Sequence, residues 1–121
     1  MRFLSLLCPL LAMALALFAA DGSGAWTGTM SVETAEGESG SFPIYCVLKV
    51  SESQLSGTCG PLASDQRPIA NGKVEGPKLS FEMGSTKPMS FSCTPGDQEM
   101  KCDVKRDGYE KASASLKRAK D

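Results

Sequence analysis

Apolar and polar residues alternate with a period of two along most of the chain from residue 25 onwards. In 25–34, Trp26, Met30 and Val32 fall on one face, and threonine, serine and glutamate side chains fall on the other. This period is that of a β-strand with one buried face. No amphipathic helical pattern of useful length appears. The segments that we predict as strands are 25–34, 42–50, 55–60, 67–74, 79–83, 89–93, 100–104 and 111–119.

The fourth segment departs from strict alternation. Ile69 and Val74 are five residues apart and cannot share a face in a regular strand. The pair Asn71-Gly72 lies between them, and a glycine-containing bulge would restore the phase. We therefore predict an irregularity at this position.

Eight short strands, each with one apolar face, are joined by short polar turns. Consecutive strands joined in this way pair antiparallel. Eight strands can close on themselves and leave no exposed edge. The sequence therefore predicts an all-β fold, an antiparallel up-and-down eight-stranded barrel. The alternative, a two-sheet β-sandwich, needs longer crossover connections than these turns provide.

Residues 1–20 stand apart from this pattern. Arg2 is followed by an apolar run over 3–20, which ends in the small residues Ala19 and Ala20. A positive start, an apolar middle and a small-residue exit are typical of a secretory signal peptide. We predict cleavage near Ala19 or Ala20, which leaves 21–121 as a single domain.

Two alternatives to cleavage remain. The apolar run is just long enough for a short uncleaved anchor, although Pro9 interrupts it. Cys8 permits a lipoprotein interpretation, but no small residue precedes it and it lies too early in the run. The prediction is an exported protein, periplasmic or secreted, with no membrane association after cleavage.

Four cysteines follow the leader, in two pairs that are each symmetric about a turn. Cys46 and Cys59 flank 51–54, and Cys93 and Cys102 flank 95–98 in the same way. Directly opposed residues on paired strands bring their side chains close enough for a disulfide. An even number of cysteines in an exported chain indicates two disulfides, and the symmetry favours 46–59 with 93–102. Two other pairings remain possible.

Composition argues against several functions. The chain carries 13 Lys and Arg against 14 Asp and Glu, a net charge of −1, which gives nucleic-acid binding no support. It has no histidine, and its cysteines lack zinc-knuckle spacing, so we expect neither a metal nor a cofactor. It also lacks a G-x-S-x-G elbow, a P-loop and a dinucleotide fingerprint. We therefore predict that the protein is not an enzyme.

Charge is unevenly distributed along the chain. The charged residues of 21–65 are almost all acidic, with Lys49 the exception, and those of 101–120 are mostly basic. Two solvated faces of a polar protein would give this pattern. A basic surface for an anionic partner is the alternative.

Gly24-Ala25-Trp26 places a G-x-W motif at the head of the first strand, and Arg118 lies in the last strand, next to it in a closed barrel. This arrangement resembles the calycin group, which includes the lipocalins and avidins. The resemblance implies that Trp26 packs against Arg118 at one barrel end, with the guanidinium across the ring. Known lipocalin and avidin ligand residues do not map onto this sequence.

A second resemblance covers roughly 25–118. The chain is similar to a small secreted bacterial barrel domain of unsettled function, from which the four cysteines depart. The segments that carry the similarity are Trp26-Thr27-Gly28-Thr29, Leu55-Ser56-Gly57-Thr58, Asn71 to Gly76 and Leu79-Ser80-Phe81.

Binding is the function that these residues favour. Methionine suits adaptable apolar pockets, and the four methionines after the leader all fall on predicted inward faces. An eight-stranded barrel has room for side chains or one small ligand, so we expect a mostly filled interior with a shallow cup at one end. The expected partner is a small apolar ligand. The predicted ligand-lining residues are Trp26, Met30, Phe81, Met83, Met89, Phe91, Met100 and Arg118.

The alternative function is protein binding, as a secreted enzyme inhibitor or an envelope accessory protein. Tyr45 and Val47 alternate outward and would form a small exposed apolar surface for an envelope protein. Residues 21–25 could project as a free arm. Since closure removes the strand edge that drives association, we expect a monomer.

Overall fold

Nine β-strands form one antiparallel sheet in the computed structural model, which describes residues 22–84 and 86–119. The predicted leader, residues 1–20, lies outside the described residues, as do its two possible cleavage positions. The strands are β1 (Gly24–Thr34), β2 (Ser39–Ser51), β3 (Gln54–Leu62), β4 (Asp65–Pro68), β5 (Ala70–Glu75), β6 (Lys78–Met83), β7 (Met89–Pro95), β8 (Glu99–Lys105) and β9 (Tyr109–Arg118).

The sheet closes into a barrel. Each strand pairs with the strand before it or after it, and β9 pairs with β1 to complete the circle. β4 and β5 share one position beside β3, so nine strands occupy eight positions. The predicted up-and-down eight-stranded barrel is confirmed, and its short turns favour pairing between consecutive strands.

The alternation of apolar and polar residues along each strand places the apolar side chains in the interior. In β8, Met100, Cys102 and Val104 are buried while Lys101 and its neighbours on the outer face are exposed. No polar or charged side chain is buried among the described residues. The core residues are Trp26, Met30, Val32, Ile44, Cys46, Leu48, Leu55, Cys59, Leu79, Phe81, Phe91, Cys93, Met100, Cys102, Val104, Ala112, Ala114 and Leu116.

The two barrel ends differ. We call the end formed by residues 22–26, 118–119 and the turns at 52–53, 76–77 and 96–98 the closed end. The open end carries the connections at 35–38, 63–64, 84–88 and 106–108. The connection at 35–38 is shorter than predicted and the paired strands are longer, since β2 begins at Ser39 rather than at residue 42.

The segment before Trp26 is not a free arm. Gly22 is buried, and its carbonyl accepts a hydrogen bond from Trp26 Nε1 at 2.8 Å. Ser23 Oγ accepts a hydrogen bond from the Val50 amide at 3.0 Å, and Gly24 already belongs to β1. A buried indole N–H needs an acceptor, and the residues just upstream supply it. The predicted projection of 21–25 is therefore wrong for the described residues 22–25.

The predicted irregularity in the fourth segment is present. The strand is interrupted at Ile69, whose amide still donates to the Gly57 carbonyl at 3.0 Å, and the β5–β6 register shifts between Ala70 and Lys73. Asn71 adopts a left-handed conformation with φ 53°, and its Nδ2 donates to Glu82 Oε1 at 2.5 Å. Asparagine tolerates this conformation better than most residues, which explains its place in the bulge.

Two disulfides link adjacent strands. Cys46 and Cys59 are directly opposed on β2 and β3, and Cys93 and Cys102 on β7 and β8. Both pairs are bonded, so the predicted pairing is confirmed against the two alternatives. Two disulfides in so small a protein are consistent with an exported, oxidising location.

Candidate functional site

Arg118 and Trp26 close one end of the barrel. They are directly opposed on β9 and β1, and the Arg118 guanidinium carbon lies 4.2 Å from the centroid of the Trp26 ring. Arg118 Nε donates to the Asp97 carbonyl at 3.1 Å, and Arg118 Nη1 donates to the Ser23 carbonyl. The contact implied by the G-x-W motif is therefore present. Trp26 is fully buried beneath it, so this end is sealed by side chains.

The largest buried side chains are concentrated toward the closed end of the barrel. Among the largest fully buried residues, Trp26, Leu79, Met100 and Leu116 lie toward the closed end. Phe81 stacks on Phe91 near the middle of the barrel, with ring centroids 4.8 Å apart and planes 8° from parallel. These side chains fill the half of the barrel nearest the closed end, and an apolar pocket lies toward the open end.

A pocket of about 340 Å³ lies at the open end. Four of the eight residues predicted to line a ligand lie in its wall: Met30, Met83, Met89 and Phe91. The other four, Trp26, Phe81, Met100 and Arg118, do not line it. The lining residues within the described part of the chain are Met30, Phe42, Pro43, Ile44, Cys59, Gly60, Pro61, Asp65, Arg67, Met83, Met89 and Phe91.

Sequence reasoning missed the wall of the pocket that β2, β3 and β4 provide. Phe42 shares the inward phase of Ile44 but lies at the rim, where its side chain is 50% exposed. Alternation could have identified Phe42 and Ile44 as inward. Asp65 and Arg67 gave no signal, because they follow a turn whose direction alternation does not determine.

The gap beside β4 explains why the pocket opens at this end. β6 ends at Met83, whereas β4 continues past that level. Among the described residues β4 pairs with β3 alone, so the sheet is not hydrogen-bonded between β4 and β6. Gly60 allows the β4 backbone to approach β3 closely, since a Cβ atom there would lie 1.8 Å from the Asp65 carbonyl oxygen, and both residues line the pocket.

The pocket is apolar inside and charged only at the strand that forms its edge. Asp65 and Arg67, both on β4, are the charged residues among the described lining. Its volume is at the lower end of the roughly 300–1,000 Å³ of small-molecule sites, which are typically apolar with a few polar groups. This arrangement suits a small apolar molecule whose polar atoms remain near the edge.

The predicted partner surface lies on the outside of β2. Val47 is 43% exposed and Tyr45 is half-buried, so both point outward as predicted. Gln66 Nε2 donates to the Tyr45 carbonyl at 2.9 Å, which links β4 to β2 across the intervening β3. Leu62, 58% exposed at the end of β3, is a further exposed apolar residue that the sequence did not single out.

The basic residues of 101–120 are spread over the outer faces of β8 and β9. Glu99 is opposed to Lys117 there, and Asp103 lies between Lys101 and Lys105 on the same face. Acidic side chains thus interrupt the basic ones, which favours two solvated faces over one continuous basic surface.

Other kinds of site find little support in the described part of the chain. Residues 22–84 and 86–119 hold no group of three or more His, Cys, Asp and Glu placed for a metal ion. Within those same residues, no helix has the length and apolar character to cross a bilayer. The described cysteines are all bonded in disulfides, so none of them is a thiol nucleophile.

No protein-family model matches the chain, and no curated protein or solved structure matches it at a significant level. The architecture, a closed antiparallel barrel of eight strand positions without helices among the described residues, is compatible with a lipocalin-like barrel. Function must therefore be inferred from the pocket and the surface themselves.

Proposed function

We propose that the protein is an exported, non-catalytic binding module that takes up one small apolar molecule in the open-end pocket. The observation that carries this proposal is the asymmetry of the barrel. Trp26 and Arg118 close one end, while the other end opens into a pocket of about 340 Å³ with mainly apolar walls. A barrel that needed only a stable core would gain by filling this space, since unfilled apolar volume is destabilising.

Export is supported by two independent features. Residues 1–20 have the pattern of a cleaved signal peptide, and the disulfides belong to an oxidising compartment. We propose that the mature protein resides in the periplasm or outside the cell as a lipocalin-like monomer.

A non-catalytic role is supported by the pocket lining. General acid–base or nucleophilic catalysis needs a titratable group or nucleophile held against the substrate. The titratable groups among the described lining residues are Asp65 and Arg67, both at exposed positions on β4. Cys59 also lines the pocket, but its sulfur is bonded to Cys46.

The proposal is tested by titrating the exported, processed protein with N-phenyl-1-naphthylamine, a neutral apolar dye that fluoresces when shielded from water. We expect saturable one-to-one binding. Phe42→Ala should weaken binding about 3- to 10-fold, because it removes an apolar wall worth roughly 1 kcal/mol of contact. Leu62→Ala is the matched control, since Leu62 is similarly exposed but does not line the pocket.

Two results would overturn this function. One is binding that does not saturate at one dye per protein. The other is an equal loss of affinity in the Phe42 and Leu62 variants. Native mass spectrometry of the protein exported from its own host supplies a second readout, because a retained small molecule of matching size would support a binder.

A second candidate function, protein binding, is favoured by the exposed apolar surface on β2. Val47 and Tyr45 would contact an envelope protein or a secreted enzyme. Photo-crosslinking from position 47 in the native host tests this, with Thr29 on the outer face of β1 as the control position. A discrete adduct at position 47, competed by unmodified protein, is expected. Equal labelling from both positions would count against the surface.

A further inference from the structure

Three methionines line the open-end pocket. Met83 and Met89 are directly opposed at the end of the β6–β7 hairpin, and Met30 lines the same pocket from β1. Met30 is 9% exposed, and Met83 and Met89 are half-buried, so all three side chains are partly shielded from solvent. Met100, the fourth methionine among the described residues, is 1% exposed and lies away from the pocket.

The geometry allows these side chains to converge. Opposed residues on neighbouring strands have Cβ atoms about 5 Å apart, so Met83 and Met89 begin close together. Methionine is unbranched and has three rotatable bonds, which lets its sulfur reach toward a shared point. Met30 faces the same space from a strand on the other side of the pocket.

Thioether sulfur is a soft, neutral ligand that selects Cu(I) over hard cations such as Mg²⁺ or Ca²⁺. The absence of histidine, which argues against zinc, does not argue against such a site. Asp65 and Arg67 carry opposite charges at the pocket edge and largely offset each other, so selectivity would rest on the sulfurs.

We propose that Met30, Met83 and Met89 form a thioether site for one soft monovalent cation, Cu(I) or its analogue Ag(I), in the open-end pocket. This goes beyond uptake of an apolar molecule and does not depend on it. Binding transfers no electron and leaves both disulfides intact. Because the two ligands share the pocket, each should displace the other.

The test uses Ag(I), which needs no reductant and so spares the disulfides. Protein labelled with ¹³C at the methionine methyl groups is titrated with silver nitrate in chloride-free buffer and followed by NMR. We expect saturation at one equivalent, with shifts of the Met30, Met83 and Met89 methyl signals. The Met100 signal serves as an internal control and should not move.

A matched set of variants measures how much the three methionines contribute to Ag(I) affinity. Leucine is close to methionine in volume and lacks the sulfur, so these substitutions largely preserve packing. The triple variant Met30→Leu, Met83→Leu and Met89→Leu should weaken Ag(I) binding at least about 50-fold by calorimetry. Met100→Leu should leave it within about 2-fold. Competition with a Cu(I) chelator under anaerobic ascorbate extends the measurement to copper.

The proposed metal site and the proposed apolar site predict different results for the triple variant. The triple leucine variant should retain dye affinity within about 2-fold, since its pocket remains apolar. Loss of Ag(I) binding with dye binding retained supports the thioether site. No saturable binding in the parent protein, shifts in all four methyl signals, or undiminished Ag(I) affinity in the triple variant would overturn it, whatever the dye shows.

Discussion

The guanidinium of Arg118 lies over the ring of Trp26, 4.2 Å from its centroid, and joins the first strand of the barrel to the last. The same side chain donates to the carbonyls of Asp97 and Ser23, so it also ties a turn and the N-terminal segment to the closed end. One residue therefore covers the most deeply buried aromatic side chain at the point where the first and last strands meet. This contact leaves the open end as the place where the proposed ligand would enter.

Arg118→Ala should lower the free energy of unfolding by about 2 kcal/mol. The loss combines a cation–π contact of roughly 0.5–1 kcal/mol with hydrogen bonds to two backbone carbonyls. Arg118→Lys should cost about half as much, because it keeps the charge but loses the planar fork. Urea unfolding followed by fluorescence of Trp26, the single tryptophan, measures both.

Lys117→Ala is the control for this series. Lys117 is adjacent but exposed on the outer face of β9, so its loss should change stability by less than about 0.5 kcal/mol. Equal effects at positions 117 and 118 would contradict the role assigned to the Arg118 contact.

Removing either disulfide should cost about 3 kcal/mol. The bonds span sequence separations of 13 and 9, and loops of these lengths restrict the unfolded chain to a similar extent. Paired Cys→Ala variants at 46 and 59, and at 93 and 102, are compared with the parent by urea unfolding. Peptide mapping of the exported protein checks the pairing itself, and recovery of a 46–93 or 46–102 peptide would refute it.

Gly57→Ala should destabilise the protein by about 3 kcal/mol or more. Gly57 has φ +140°, and a Cβ atom there would lie 2.0 Å from the Val47 carbonyl oxygen, so the β2–β3 pairing would have to shift. Gly76→Ala provides the comparison. Gly76 also has positive φ, +59°, but no atom lies within 4 Å of its added Cβ. Its cost should stay near 1–2 kcal/mol, as expected for backbone strain alone. Thermal and urea unfolding distinguish the two, and similar losses would show that the close approach is unimportant.

Glu52→Gly should stabilise the protein by about 0.5 kcal/mol. Glu52 holds φ 58° in the exposed turn between β2 and β3, a conformation that costs a residue with a Cβ roughly 1–2 kcal/mol. Glycine relieves this strain, but part of the stabilisation is lost because glycine increases the conformational entropy of the unfolded chain. Ser53, in the same turn, does not have a positive φ, so Ser53→Gly relieves no strain and should destabilise the protein. A rise in melting temperature for position 52 alone is the expected result.

Much of the barrel could be read from local pattern. Alternation identified the inward residues of β8, Met100, Cys102 and Val104, because a strand places successive side chains on opposite faces. The symmetry of Cys46 and Cys59 about one turn was enough to predict their register, since a tight hairpin determines which residues are opposed. The bulge near Asn71 was visible as a break in phase for the same reason.

Other features depend on parts of the chain that are distant in sequence. Glycine and serine at 22–23 look like a flexible start, yet Gly22 accepts the indole hydrogen bond of Trp26 because that ring is buried when the barrel closes. The start of β2 at Ser39, before Phe42, also depended on its partner strand. β1 continues to Thr34, and its last residues pair with this extension of β2.

The sequence by itself determined most of the strands and their inward faces and favoured one disulfide pairing, because each of these follows from spacing within one strand or one hairpin. Only the tertiary structure decided which inward residues surround empty space. Met30, Met83, Met89 and Arg67 come from four strands, and their meeting at one pocket depends on closure of the sheet and on the gap beside β4. Cavity volume is what remains after all side chains are packed, so it is a property of the whole barrel and of no single segment.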